Sequence, residues 1–250
     1  MSENWDFYFA YVNDKLASLL VDLAARQQAP NAELPWLLWA IVYFQQPRDD
    51  GLSSNEESDR LYELEDALTT GITAGLAAQY VGRITVDGRR EYYFYAPSFA
   101  GFDEALARSM EPFAEYQWES GSTQDAEWQQ YLELLFPSPR DWQRIKNRRV
   151  LEALEQHGDK LEGSRMVHHW AYFETGDQCH QFVSAVSEQG FEVTRRGELD
   201  EKPDHQWQVV FEREDRVDWD SINNVTLELF ELARTHGGKY DGWETMIIKP

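Results

Sequence analysis

The segment Phe136-Pro137-Ser138-Pro139 constrains the fold of this chain more than any other feature. Two prolines one residue apart remove two backbone donors and force extended backbone on the residues before them, so no helix or strand runs through this point. At 250 residues the chain is long enough for one large domain or two small ones. The break predicts two, 1–137 and 138–250. Charge changes across it as well: the first part holds 8 basic and 23 acidic side chains, the second 15 and 22.

In the first part, Trp5 to Val12 and Leu16 to Leu23 are strand-like runs joined by Asn13-Asp14-Lys15, a short hairpin turn. Trp36 to Phe44 is apolar and β-branched, too short for a helix and suited to a buried strand. Leu61, Leu64, Leu68, Ile72 and Leu76 recur at helical spacing, and Ser54 with Glu57 three later has the form of a cap for that helix. Tyr80 to Val86 and Glu91 to Tyr95 flank Asp87-Gly88, a hairpin signal because glycine accepts the positive φ such turns need. A second helix is expected from Asp103, a strand over 115–119, and a third helix carrying Trp128, Tyr131, Leu132 and Leu135. These elements predict an α+β domain with a mixed antiparallel sheet and helices.

The second part is easier to read. Ser138-Pro139-Arg140-Asp141 combines a capping hydroxyl, a proline where its missing N–H costs nothing and an acid at the helix start. That linker helix is expected to end at Gly158. Strands over 165–173, 191–195, 206–212 and 240–248 alternate with helices that begin at Thr175, with Gln178 completing a capping box, and at Asp218. An acidic loop containing Pro203 links the middle two strands. The order strand, helix, strand, strand, helix, strand is the βαββαβ, ferredoxin-like arrangement, an antiparallel sheet with both helices on one face.

Composition narrows function. With 23 Lys and Arg against 45 Asp and Glu, a formal charge of −22, the surface repels a phosphate backbone and an anionic membrane alike. Cys179 is the lone cysteine, so neither an intramolecular disulfide nor a cysteine zinc site is possible. The start, MSENWDFYFAYVNDK, has no basic, apolar and small-residue succession of a secretion signal. The longest apolar run, 34–44, contains Pro35 and is about half of what a bilayer span requires. A soluble, cytoplasmic protein is expected.

Catalytic and metal signatures are weak. His168 and His169 are neighbours on a strand and point to opposite faces, His180 lies on the next helix, and His157, His205 and His236 sit near element ends, so no metal ligand set and no cofactor site emerges. Cys179 and His180 diverge around their helix, which makes Cys179 a core or boundary residue. Gly121-Ser122 lacks the second glycine of a serine nucleophile motif and reads as loop, and Gly71, Gly75 and Gly82 do not space as a phosphate cradle. Arg140, Arg144, Lys146, Arg148 and Arg149 form a basic patch on the linker helix, suited either to an acidic partner or to neutralising acidic neighbours. In the C-terminal run, Tyr240 and Trp243 flank Asp241 and Gly242. Two readings stand: an aromatic protein-contact site, or a bulged edge strand packing its own helix.

The stretch Phe191-Glu192-Val193-Thr194, the later Tyr240-Asp241-Gly242-Trp243-Glu244-Thr245 and the His168-His169 pair resemble the regulator of ribonuclease E activity B (RraB) family, over about 140–250. Trp5-Asp6-Phe7-Tyr8-Phe9 and Ala17-Ser18-Leu19-Leu20-Val21-Asp22-Leu23 resemble a bacterial domain family of unknown function that recurs fused to it. The resemblance implies a ferredoxin-like fold, an acidic and non-catalytic protein, and binding of ribonuclease E to inhibit the processing of a subset of transcripts. The expected partner is therefore a basic, Arg-rich segment of ribonuclease E or its degradosome assembly, met through an acidic surface with Tyr240, Asp241, Gly242 and Trp243 at the contact. Two alternatives remain: an adaptor or immunity-type protein for another basic partner, and an enzyme with a site between the domains.

Overall fold

The computed structural model describes residues 4–199 and 207–249, so the acidic loop around Pro203, with His205 in it, lies outside the described residues. The chain separates into two compact units, Met1–Pro137 and Ser138–Pro250. Both are α+β, as the order of elements implies.

In the first unit β1 (Trp5–Val12) and β2 (Lys15–Asp22) pair from Trp5 opposite Asp22 to Val12 opposite Lys15. Asn13 and Asp14 between them both have positive φ, the I′ turn whose twist matches the flanking strands. β4 (Gln79–Val86) and β5 (Arg89–Ala96) close in the same way over Asp87-Gly88. With β3 (Trp36–Tyr43) and β6 (Trp118–Gln124) they form a six-stranded antiparallel sheet in the order β1-β2-β4-β5-β3-β6. One face packs Leu38, Ala40, Val42 and Phe94 on the Leu61, Leu64, Leu68 and Ile72 stripe of α1 (Asn55–Leu76) and on Leu106 of α2 (Phe102–Met110).

Four details of this unit depart from the expectation. Ser54 is the cap residue of α1, but its side chain makes no capping bond; Glu57 is buried and instead accepts from the backbone N–H groups of Gln45 (2.8 Å) and Gln46 (3.0 Å), pinning the loop after β3. The strand expected over 115–119 lies at Trp118–Gln124, because Pro112 and the Tyr116 N–H bond to Phe113 O keep 111–117 in turns. Gly121 and Ser122 are therefore in a strand and not a loop, and a Cβ on Gly121 would stand 2.3 Å from Cζ2 of Trp39. The third helix is a single π-helical turn, Gln130–Leu135, closed by Phe136 N–H to Tyr131 O at 2.7 Å. Phe136 precedes Pro137 and is extended, which denies the turn any continuation. Its aromatic residues are anchored: Trp128 stacks on Tyr95 (4.0 Å between ring centres) and donates to Leu34 O, and the Tyr131 hydroxyl donates to Asp22 O at 2.7 Å.

In the second unit α3 (Pro139–Gln156) starts at the Ser138 cap, whose Oγ accepts from Asp141 N–H. Then follow β7 (Ser164–Phe173), α4 (Gly176–Glu188) with the Thr175–Gln178 capping box formed, β8 (Glu192–Glu198), β9 (Trp207–Arg216), α5 (Trp219–Thr235) capped by Asp218, and β10 (Gly238–Thr245). The sheet order β10-β7-β9-β8, antiparallel throughout, is the ferredoxin-like topology. β8 and β9 extend further than expected, to Glu198 and Arg216, while β10 ends at Thr245 instead of 248. Residues 246–248 are held by an ion pair: Arg165 grips the Asp159 carboxylate, both side chains are buried, and Asp159 Oδ2 also accepts from Ile248 N–H at 2.8 Å.

Candidate protein-interaction face

Strand alternation divides the C-terminal sheet into two surfaces. On β7, Val167, His169, Ala171 and Phe173 are buried, whereas Met166, His168, Trp170 and Tyr172 alternate with them on the opposite side. α4 and α5 contribute Phe182 and Leu229 to the core that Ala171 and Phe173 enter, and α3 contributes Leu151 and Leu154 to the cluster around Val167. All three helices therefore cover one side. The other side carries no helix of this unit among the described residues.

The adjacent histidines separate as strand geometry requires. His169 is fully buried, its Nδ1 2.9 Å from the Tyr240 hydroxyl and its ring stacked on Phe211. Burial is the main cause that drives its pKa down to about 3, aided by Arg213 and His168. His168 faces the side opposite the helices, its Nδ1 2.7 Å from Glu212 Oε2.

Register extends that pair into a row across all four strands. Glu244 of β10 lies opposite His168, His168 opposite Glu212 of β9, and Glu212 opposite Glu192 of β8. Glu214, opposite Met166, adds a carboxylate at the same end of the face. Lys239 and Arg195 lie toward the Tyr172 end, and Arg216 is engaged by Asp218 at 2.9 Å. Carboxylates directly opposite on one sheet face repel, so the Glu212–Glu192 step costs stability that a cation placed between them would return. Half-buried Trp170 and Tyr172, Val210 and exposed Met166 supply apolar area beside the row.

The residues expected at a contact are only partly on the surface. Tyr240 and Trp243 are 2% and 7% exposed and belong to the core; the expectation that they form an apolar contact centre is corrected. A β-bulge is the reason: one extra residue between Tyr240 and Gly242 shifts the alternation, so that Tyr240, opposite Ala171, and Trp243, opposite His169, both face the helices. Asp241 is exposed in the bulge and Gly242 is half-buried beside it. Lys146 of α3 donates to Asp241 O at 3.2 Å. Other members of the basic patch pair on their own helix, Arg144 with Asp141 and Arg148 with Glu152.

Trp243 has a polar role inside the unit. Its Nε1–H donates to Asn147 Oδ1 (2.9 Å), which also receives Gln143 Nε2 (3.0 Å), while Asn147 Nδ2 donates to Asn223 Oδ1 and Thr226 Oγ1. This buried network ties α3 to α5 and β10. Sequence reasoning missed it, as it missed the glutamate row; the available signal was the aromatic and apolar alternation Met166, Trp170, Tyr172 on the side of the strand opposite the core.

Cys179 is buried in the core, which raises its thiol pKa, and His180 points outward, so the two do not form a nucleophile and base. Among the described residues no three His, Cys, Asp or Glu side chains are grouped to hold a metal, and no helix is long and apolar enough to cross a membrane.

No curated protein matches the chain. Among solved structures, an unknown protein from Galdieria sulphuraria aligns over 86% of this chain and 100% of its own at 8% identity, with a TM-score of 0.24. Residues 144–245 match the family Regulator of ribonuclease activity B (RraB), and residues 3–136 match the Family of unknown function DUF695. The protein thus belongs to the DUF695 family through more than half of its length and joins to it a C-terminal unit that matches the Regulator of ribonuclease activity B model.

Proposed function

We propose that the protein is a non-catalytic regulator that binds ribonuclease E, or its degradosome assembly, in the bacterial cytoplasm and inhibits or modulates RNA processing. The observation that carries this reading is the Glu244–His168–Glu212–Glu192 row across the sheet face opposite the helices of the RraB-like unit. Guanidinium groups of an Arg-rich segment are the natural complement of such a row, because each pairs two carboxylate oxygens at once and relieves the repulsion between facing glutamates. Trp170 and Tyr172 offer apolar area to the same segment, and Asp241 and Gly242 lie on the edge strand beside it. Opposite potentials speed the encounter and make it sensitive to salt. The protein touches no RNA itself, since its charge of −22 opposes that.

Calorimetric titration with ribonuclease E at low and high ionic strength tests the reading. Binding is expected at low salt, weakened by salt, and weakened about tenfold or more by the combined substitution Glu192→Gln, Glu212→Gln and Glu244→Gln. No heat of binding at low ionic strength would discard ribonuclease E as the partner, and unaltered affinity of the triple variant would discard the face.

A further inference from the structure

In the N-terminal unit two arginines meet one glutamate beneath α1. Arg83 of β4 and Arg90 of β5 stand on the sheet face that α1 covers, Arg83 opposite Tyr92 and Arg90 opposite Thr85 in the ladder, and Glu65 and Tyr62 of α1 lie against both. The arginine side chains are 13% and 3% exposed, so two guanidinium charges are withdrawn from water against a single carboxylate among the described residues. We propose that this cluster binds the carboxylate group of a small monoanionic ligand.

Hydrogen bonding around the pair is incomplete. Arg83 Nη1 stands 3.1 Å from Glu65 Oε2 without the alignment of a hydrogen bond, and the buried Nε–H of Arg83 meets no acceptor among the described residues. Arg90 is held at long range, its Nε 3.3 Å from Thr85 Oγ1 and its Nη1 3.4 Å from Glu65 Oε2 and 3.5 Å from Leu61 O, where charge-assisted bonds ordinarily run at about 2.7–2.9 Å. Glu65 is not free to turn toward either arginine, because its Oε1 accepts from the Tyr80 hydroxyl at 2.9 Å. The Tyr92 hydroxyl, buried beside Arg90, keeps its proton because burial raises its pKa, and that proton also finds no acceptor among the described residues. Guanidinium forks take a carboxylate two oxygens at a time. One added negative charge balances two arginines and Glu65, whereas a dianion leaves a charge unpaired. Tyr62 is the way in: its ring lies 5.6 Å from both guanidinium carbons, yet the residue is 53% exposed. Exposed side chains change rotamer within nanoseconds, so the pair is uncovered without backbone movement. A flat ring on the ligand would take the place of Tyr62 against the guanidinium groups.

Benzoate carries the carboxylate and the ring, and benzamide keeps that shape without the charge. Proton–nitrogen NMR of the arginine Nε–H groups in the full chain, at constant ionic strength, should show benzoate shifting the Arg83 signal to saturation with a Kd of about 5 mM or tighter, benzamide at least about tenfold weaker, and sulfate no tighter than benzoate. Arg83→Lys removes one fork and should weaken benzoate about tenfold. Tyr62→Glu sets a carboxylate of the chain itself where the ring lay and should abolish the response to benzoate. Because Tyr62 is on the helix surface, this variant keeps the test decisive if Arg83→Lys folds poorly. Absence of a saturable shift with benzoate up to about 50 mM, an equal response to benzamide, tighter binding of sulfate, or unchanged benzoate affinity in Tyr62→Glu would overturn the proposal.

Discussion

Asn147 shows how a single residue can escape a reading of the sequence. It stands among Lys146, Arg148 and Arg149, where a polar helix residue is expected to face water, and instead it is fully buried with four hydrogen-bond partners. Two of those partners, Asn223 and Trp243, lie 76 and 96 residues away, beyond the reach of any local pattern. The same network explains why the aromatic pair of the C-terminal run is internal: Trp243 is needed where its indole N–H meets Asn147 and Tyr240 where its hydroxyl meets His169. Satisfied buried networks of this type make uniqueness of packing depend on each member. Trp243→Phe keeps most of the apolar contact but leaves Asn147 Oδ1 with Gln143 alone, and is expected to lower the stability of the C-terminal unit by about 1–3 kcal/mol in chemical denaturation. An unchanged midpoint would show that the network contributes nothing. If the glutamate row is the contact, affinity for a partner measured below the unfolding transition is unaltered by this variant.

At the scale of elements, what was legible in the sequence was what depends on neighbours in the chain. The two I′ hairpins, the Thr175–Gln178 box and the caps at Ser138 and Asp218 are all local chemistry, and all appear where the residues indicate. The ferredoxin-like order follows from them once the strands are placed. β6 was legible only at its start, Trp118 and Glu119, for the converse reason. Its residues, Trp118 to Gln124, include glycine, two serines and a threonine and lack an apolar alternation, so they resemble a turn until β3 offers a ladder from Trp36 opposite Gln124 to Val42 opposite Trp118. Gly121 is required there by the Trp39 ring lying on its α-carbon, not by a turn. Gly121→Val should therefore lower the melting temperature of the N-terminal unit, with a loss on the order of 1–3 kcal/mol from overpacking. In a Trp39→Ala background the ring is gone and the same substitution should cost much less, and β-branching could make it favourable. Equal costs in the two backgrounds, read as zero coupling in a double-mutant cycle, would place the effect elsewhere.

Across the whole molecule the acidic balance was plain from the residues, but the location of the acid-sensitive groups was not, because depressed pKa values arise from burial and partners that only the fold creates. Three groups of the C-terminal unit have pKa values driven low by their surroundings. His169 is held neutral by burial, with a pKa of about 3; Asp159 is lowered to about 2 chiefly by Arg165, and Asp218 to about 2 chiefly by Arg216. The unfolded chain protonates His169 near its ordinary 6.5, so between there and about 3 the unfolded state holds one more proton than the native state and stability falls as pH falls. The aspartates act lower, losing their contribution as pH drops from their ordinary 3.8 toward 2. The C-terminal unit is thus expected to weaken already between pH 6 and pH 4, before carboxylates matter, by an amount on the order of 2–3 kcal/mol from His169 alone. Denaturation followed at pH 7, 5.5 and 4 by amide exchange, which resolves the two units in the intact chain, measures this directly. His169→Phe, which retains a flat ring against Phe211, should flatten the dependence in that window and leave the steeper loss below pH 4 in place. A C-terminal unit whose stability is level between pH 7 and 4, or whose slope survives in His169→Phe, would mean that the buried imidazole is not what makes this unit sensitive to acid.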